Sequence, residues 1–380
     1  MHRASGLLLL TTLACSSQPQ AMEDSSGDGT GGTTAATTAP PTTSGPGDAD
    51  TSDSSSAGDA GTTAATSEDP PDPTTGAATT DDSTTDDSTT GGDALPDPDK
   101  DGPWDIAAID GSILVDAVDV PIHCVYPASG PPGPYPVVVV AHGFQLPPTQ
   151  YNGYLERLAS HGYVALTADF KAELFATDHV ANTAQVLAGI DWAAAEPALA
   201  GLADTANVGL TGHSLGGKLA LHGTILDPRV RASITLDPVD GSQMCDPQKC
   251  PDISAMLPAD VPLGFVGETL DGSGGFMPCA PQADNFLSFF AAAAAPALAV
   301  TVNGANHMSF LDDAAGCGLV CSFCKMPTLD NAVVNALARA YVVAFYGRYL
   351  KGEAGYAAYL TGAVAQERYV EPGLVTLAEK

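Results

Sequence analysis

The chain has 380 residues, with 45 acidic side chains against 14 Lys and Arg, a net charge of −31 and eight cysteines. So negative a balance argues against nucleic acid or anionic lipid as an electrostatic partner, although it selects no substrate. The composition is uneven: residues 16–101 are almost entirely Ser, Thr, Gly, Ala, Pro and Asp, whereas a globular composition begins at Trp104.

The first residues, MHRASGLLLLTTLAC, set a basic start and a short apolar core before a cysteine. This resembles a bacterial lipoprotein signal, residues 1–15, with Cys15 as the lipidated residue; Thr12 departs from the usual leucine three positions before it. The rival is an ordinary secretory signal cut later, after Ala21. Either reading makes the protein exported, as a cell-envelope lipoprotein or a secreted protein, and a lipid at Cys15 would make a membrane its partner. Residues 16–101 hold 18 acidic residues and one lysine with almost no large apolar side chain, too little to offset the entropy of ordering them, and are expected to form a disordered tether. At its end, Asp97, Asp99 and Asp101 resemble the start of a calcium loop, but Ala108 stands where the bidentate Glu belongs, so an acidic linker end is the simpler reading.

Residues 102–380 alternate strand-like and helix-like segments. Ser112–Pro127 reads as a half-buried hairpin, and YPVVVVAHG (Tyr135–Gly143) as a strand buried on both faces of a parallel sheet. A helix through YNGYLERLASHG, a strand YVALTADF and a helix HVANTAQVLAGIDWAAAEP stopped at Pro197 follow. Then come a strand NVGLTG, a helix GGKLALHGTIL, strands at ASITLDPV and VPLGFVGE, a helix NFLSFFAAAAA, a strand ALAVTVNGAN and a long closing helix ending in GRYL. Such alternation predicts an α/β class domain around a mainly parallel sheet. Residues 240–260 break it and read as an insertion. Of the cysteines, Cys124 lies in a strand and is expected to be unpaired, while Cys245, Cys250, Cys279, Cys317, Cys321 and Cys324 are expected to form disulfides; a zinc site from Cys317, Cys321 and Cys324 is the rival.

The chemistry concentrates in VGLTGHSLGGKLAL. Gly212-His213-Ser214-Leu215-Gly216 is a G-x-S-x-G pattern between a predicted strand and a predicted helix. A sharp turn there leaves no room for side chains two positions either side of the serine, and it lifts the hydroxyl to the helix start. Serine needs a base to be a nucleophile, and His307, just past a later strand, is the candidate. The acid that orients the histidine is sought after a strand: Asp237 follows one strand, and Glu268 and Asp271 the next, whereas Asp240, in a loop rich in turn formers, is expected to be solvated. The backbone N–H groups of Phe144 and Leu215 are the candidate oxyanion donors. Phe144, Leu146, Met308, Phe310 and the FLSFF helix are expected to form an apolar pocket for a lipophilic substrate.

From Tyr135 to Leu350 the sequence resembles the chlorophyllases among the α/β-hydrolases, and more distantly cutinase-like polyester hydrolases. GHSLGGKLAL, ITLDPVDG, MPCAP, ANHMSFLDDAAG, CGLVCSFCK and YVVAFYGRYL carry the resemblance in order. It implies an α/β-hydrolase fold and carboxylic-ester hydrolysis by a serine nucleophile without metal or organic cofactor. It also favours Asp237, in the DPV motif, as the acid. Leu215 stands where plant chlorophyllases usually have Arg, so the reaction carries over and chlorophyll does not. A monomer acting on a small-molecule or lipid-like ester, with no nucleic-acid partner, is expected; an inert surface-binding lipoprotein is the alternative.

Overall fold

The computed structural model describes residues 95–173, 177–241, 245–274, 278–317 and 323–380. The signal, Cys15, most of the tether and Cys321 lie outside these residues. Nine strands form one sheet: β1 (Ile106–Val115), β2 (Val118–Pro127), β3 (Tyr135–Ala141), β4 (Val164–Ala168), β5 (Ala203–Gly212), β6 (Val230–Leu236), β7 (Leu263–Glu268), β8 (Ala297–Val302) and β9 (Val375–Glu379). Their order across the sheet is β1-β2-β4-β3-β5-β6-β7-β8-β9. Every pairing from β4 through β8 is parallel, and the β1–β2, β2–β4 and β8–β9 pairings are antiparallel. This is the mainly parallel α/β architecture that the alternation implies.

The central strands read as unbroken apolar runs because both faces are covered. On one face Val137, Val139 and Leu166 pack with Val186 and Ile190 of α2 (His179–Ala195) and Leu219 of α3 (Leu215–Leu226). On the other, Val138 and Val140 join Leu155 of α1 (Asn152–Ser160) and Tyr346 of α5 (Asn331–Tyr349). Local chemistry fixes the helix starts: the Asp178 and Asp330 side chains accept the backbone N–H groups of Ala181 at 3.0 Å and Ala332 at 2.8 Å.

Several expectations change. The hairpin starts at Ile106, not Ser112. The chain does not close on α5, since short helical turns carry it to β9 on the edge of the sheet; VTLAE is short and mostly exposed, so its pattern is weak. The FLSFF helix, α4 (Phe286–Ala292), is largely core: Phe286 and Phe289 are buried with Phe265 of β7. Met308 and Phe310 are likewise interior, packed with Tyr151 and Tyr154, and Leu146, also buried, borders a cavity beside the turn after β3. Asp240, read from its turn-rich loop as solvated, is buried, with its Oδ1 2.8 Å from Lys218 Nζ of α3. Residues 97–101 pack on the domain: Arg368 donates to Asp97 at 2.9 Å and Asp99 at 2.6 Å, and Arg157 to Asp101 at 3.0 Å.

Cys245–Cys250 and Cys279–Cys324 are disulfides, and Cys317 is also disulfide-bonded. Cys324 sulfur is therefore not a free thiolate for zinc. The only near-metal grouping among the described residues, Asp271 with Cys279 and Cys324, contains that disulfide. Cys124 is free and buried, and burial pushes its thiol up to about 12, so it stays protonated. Disulfides of this kind are kept by exported proteins. No helix among the described residues is long and apolar enough to cross a membrane.

Candidate active site

β5 ends at Gly212 and α3 begins at Leu215, so His213 and Ser214 make the turn, Ser214 with φ 57°. That left-handed conformation is costly for serine and persists only when its surroundings enforce it. They do: a Cβ on Gly212 would lie 2.2 Å from the Gly216 carbonyl oxygen, and one on Gly216 would lie 2.2 Å from the Ala141 carbonyl oxygen at the end of β3. The two glycines let the turn pack against itself and against β3. Ser214 stays partly accessible at the N-terminus of α3, where the helix field favours negative charge.

The structure brings His307 and Asp237 to this serine from distant parts of the chain. His307 opens a short 3₁₀ turn, His307–Phe310, after β8. Its Nε2 is 2.8 Å from Ser214 Oγ and its Nδ1 2.6 Å from Asp237 Oδ2. Asp237 directly follows β6, also in the left-handed region with φ 41°, and is fully buried. A carboxylate only accepts, so His307 Nδ1 carries the proton and Nε2 is left to accept from the serine hydroxyl. Burial pushes the Asp237 carboxyl above its ordinary value, while the hydrogen bond and charge of His307 act in the opposite direction.

The two other acids considered at the sequence level hold backbone instead of the ring. Asp271 Oδ2 accepts the His307 N–H at 2.9 Å and its Oδ1 accepts the Lys325 N–H at 2.9 Å. Glu268, the last residue of β7, accepts the N–H groups of Leu270 and Asp271 through Oε2. Its Oε1, like Asp237 Oδ1, is buried without a hydrogen-bond partner. Burial and the neighbouring Asp237 raise the Glu268 carboxyl to about 7.

A further chain of hydrogen bonds ties the turn after β3 to the histidine loop. The Gly143 N–H donates to Tyr151 Oη at 3.0 Å, Tyr151 Oη lies 2.9 Å from His213 Nδ1, and His213 Nε2 lies 2.8 Å from the His307 carbonyl oxygen. A carbonyl cannot donate, so His213 Nε2 carries its proton and Nδ1 accepts from the tyrosine hydroxyl. Burial and the His307 ring keep His213 neutral, well below the usual histidine range. Because Gly143 is committed to Tyr151, Phe144 carries the next N–H along this turn. The Leu215 N–H, at the first position of α3, has no partner within the helix.

The sequence profile of the chlorophyllase family matches residues 102–373. The chain belongs to the chlorophyllase family. It is 30% identical over 246 residues to chlorophyllase-1 of Arabidopsis thaliana, covering 58% of this chain and 74% of that relative. Chlorophyllase-2 of the same plant is 28% identical over 249 residues, 58% of this chain and 75% of the relative. Bis(hydroxyethyl) terephthalate hydrolase of Streptomyces coelicolor is 33% identical over 113 residues, 30% of this chain and 36% of the relative. This chlorophyllase-family protein is therefore a hydrolase with an α/β fold.

Sequence reasoning passed over His213, Tyr151 and the backbone roles of Asp271 and Glu268. His213 has a signal, its place inside the G-x-S-x-G turn, but that place alone gives its ring no role. Tyr151 had none, because its partners are 8 and 62 residues away.

Proposed function

We propose that this protein hydrolyses carboxylic esters through Ser214, His307 and Asp237 by way of an acyl-enzyme. The observation that carries the reading is the line of hydrogen bonds, 2.6 and 2.8 Å, from a buried carboxylate through one imidazole to a serine held on a strained strand-to-helix turn. His307 Nε2 takes the Ser214 proton as Oγ attacks the ester carbonyl carbon. The N–H groups of Phe144 and Leu215 receive the oxyanion, and the first position of α3 adds its field. The protonated His307 passes its proton to the departing alcohol oxygen, and Asp237 stabilises the imidazolium in between. Water, deprotonated by the same Nε2, then attacks the acyl carbonyl, and Ser214 recovers its proton as the acid leaves. The names of the relatives, two chlorophyllases and a terephthalate diester hydrolase, support an ester as the substrate class.

The test is hydrolysis of p-nitrophenyl butyrate together with labelling by a fluorophosphonate. Turnover and a covalent adduct on Ser214 are expected, and Ser214→Ala should lower kcat by about 10⁴ or more while leaving the fold intact. A protein that neither turns over nor is labelled would be the inert binding lipoprotein instead. Export and anchoring through Cys15 belong to the same proposal; mass spectrometry of the mature protein should find a diacylglycerol-modified N-terminal Cys15, and an unmodified Cys15 or a start beyond it would refute anchoring.

A further inference from the structure

α3 carries a charged group that the proposed chemistry does not use. Lys218 lies one helical turn after Ser214 and is 0% exposed, although lysine is almost never fully buried unless it is paired. Its partner is Asp240, also buried, at the end of the short segment that begins with Asp237. Lys218 Nζ donates to two acceptors of that one residue, the side-chain Oδ1 at 2.8 Å and the backbone carbonyl oxygen at 2.9 Å. Burial pulls the ammonium below its ordinary value, and the hydrogen bond and charge of Asp240 act in the opposite direction.

The segment from Asp237 to Asp240 lies along α3. Its first residue donates its N–H to the Val266 carbonyl oxygen of β7 at 2.6 Å, and the Val239 N–H donates to the Ser214 carbonyl oxygen at 3.2 Å. A Cβ on Gly217 would lie 2.8 Å from Pro238 Cβ, so helix and segment are in direct contact. At the far end the Asp240 N–H donates to the Asp284 carbonyl oxygen at 2.8 Å, and Asp240 Oδ2 accepts the Ile253 N–H at 3.3 Å. Asp237 itself has φ 41°, a left-handed conformation that its surroundings must enforce. Bonds in which one partner is ionised are roughly twice as strong as neutral ones, so the grip of Lys218 on Asp240 is the strong fastening at this end. Apolar side chains of similar volume would fill the same space without burying two charges. What they could not do is hold the carbonyl and the carboxylate of one residue to a fixed point on the helix that follows Ser214.

We propose that Lys218 is a positioning residue for the reaction: its two hydrogen bonds to Asp240 fix the Asp237–Asp240 segment against α3 and so keep the Asp237 carboxylate on His307 Nδ1. The inference rests on the ester-hydrolase reading and adds to it a side chain that acts on the triad through Asp240.

The test reads the Asp237–His307 bond itself. A proton held in a short histidine–carboxylate hydrogen bond gives a far-downfield NMR signal, and Asp237→Asn, which should erase it, assigns that signal in this protein. Lys218→Met keeps the stem of the side chain and removes the ammonium. In Lys218→Met, held well below its melting temperature, the signal should disappear or move upfield. The kcat for p-nitrophenyl butyrate should fall by about tenfold to 10²-fold, the range for a catalytic group displaced from a distance, with KM unchanged. Asp240→Asn keeps the volume but leaves one oxygen for two donors, so it should change signal and kcat in the same direction by less, and it carries the test where Lys218→Met does not fold. An unchanged signal or an unchanged kcat in a folded variant would overturn the proposal, since a pair that only supports the fold lowers stability and leaves both alone. A rise in KM with kcat retained would overturn it too. Wild-type protein that turns over no ester would remove the parent reading, and the signal in the variants would still support or overturn the hold of Lys218 on Asp237.

Discussion

The serine and histidine halves of the candidate site are built on opposite plans. On the serine side everything is local: Gly212, Ser214 and Gly216 lie within five residues, and the geometry follows from which of them can carry a Cβ. On the histidine side nothing is local. Asp237, Glu268, Asp271 and His307 come from the ends of three parallel strands and the loops after them; Asp237 meets the imidazole, while Glu268 and Asp271 accept backbone N–H groups. The serine turn is set by steric exclusion, which a short sequence pattern records. The histidine loop is set by three buried carboxyl groups with divided duties: one faces the ring and two hold the chain.

The sharpest way to break this comparison is to change the carboxylates one at a time. Asp237→Asn keeps the volume but offers an N–H to His307 Nδ1, which favours the tautomer with its proton on Nε2, facing Ser214. Turnover of p-nitrophenyl butyrate should fall by about 10⁴ with the fold retained. Asp271→Asn keeps one acceptor for two N–H groups, those of His307 and Lys325, and turns its amide toward the other. The loop shifts but the ring keeps Asp237, so kcat should fall by roughly tenfold, in line with one lost buried hydrogen bond. A loss in Asp271→Asn as deep as that in Asp237→Asn would show that the division between ring and backbone is wrong.

The two halves are joined through Tyr151, which allows a gentler test. Tyr151→Phe removes the hydroxyl between the Gly143 N–H and His213 Nδ1, leaving one buried donor and one buried acceptor unpaired. Stability should drop by about 2–3 kcal/mol, read from denaturant melts. If the tyrosine ties the oxyanion turn to the histidine loop, kcat falls while KM holds; a variant that is only less stable, with unchanged kcat, would show the halves to be independent.

How much of this was legible in the sequence follows the same divide. The strand β3, the helix α3 and Ser214 between them are written in contiguous residues, as buried runs, helical spacing and paired glycines. The acid was not: Asp237, Glu268 and Asp271 all follow strand ends on one edge of the sheet, and spacing cannot tell which oxygen meets an imidazole some 70 or 36 residues away. Residue type misled where packing overrode it. Phe310, Met308 and the phenylalanines of α4 read as pocket walls because they are apolar, but Phe310, Met308, Phe286 and Phe289 fill the interior. Asp240 read as solvated because its loop is rich in turn formers, although Lys218 of α3 holds it inside. Strand β9 was overlooked because an edge strand of five mostly exposed residues leaves little pattern.

A pH-dependent effect, on stability alone, sharpens the comparison from the side of Glu268. This carboxyl is 4% exposed, accepts two backbone N–H groups through Oε2 and leaves Oε1 unpartnered, with Asp237 and Asp271 as like-charged neighbours. Burial, then Asp237, raise it from an ordinary value of 4.5 to about 7 in the folded protein. The folded state therefore binds a proton that the unfolded chain has released between those two values. Its favourable contribution is complete below 4.5 and is lost as the pH climbs through about 7, a difference on the order of 3 kcal/mol in full. Glu268→Gln keeps an oxygen for the two N–H groups and removes the titration, so its stability should vary less between pH 5 and pH 8. Calorimetric melts of both proteins at these pH values provide the check. Wild type should lose several degrees of Tm more than the variant on going from pH 5 to pH 8, at about 2–4 °C per kcal/mol for a domain near this size. Equal losses would mean that Glu268 is already ionised at pH 5, and that the carboxyl groups around His307 are held apart by more than the backbone bonds described here.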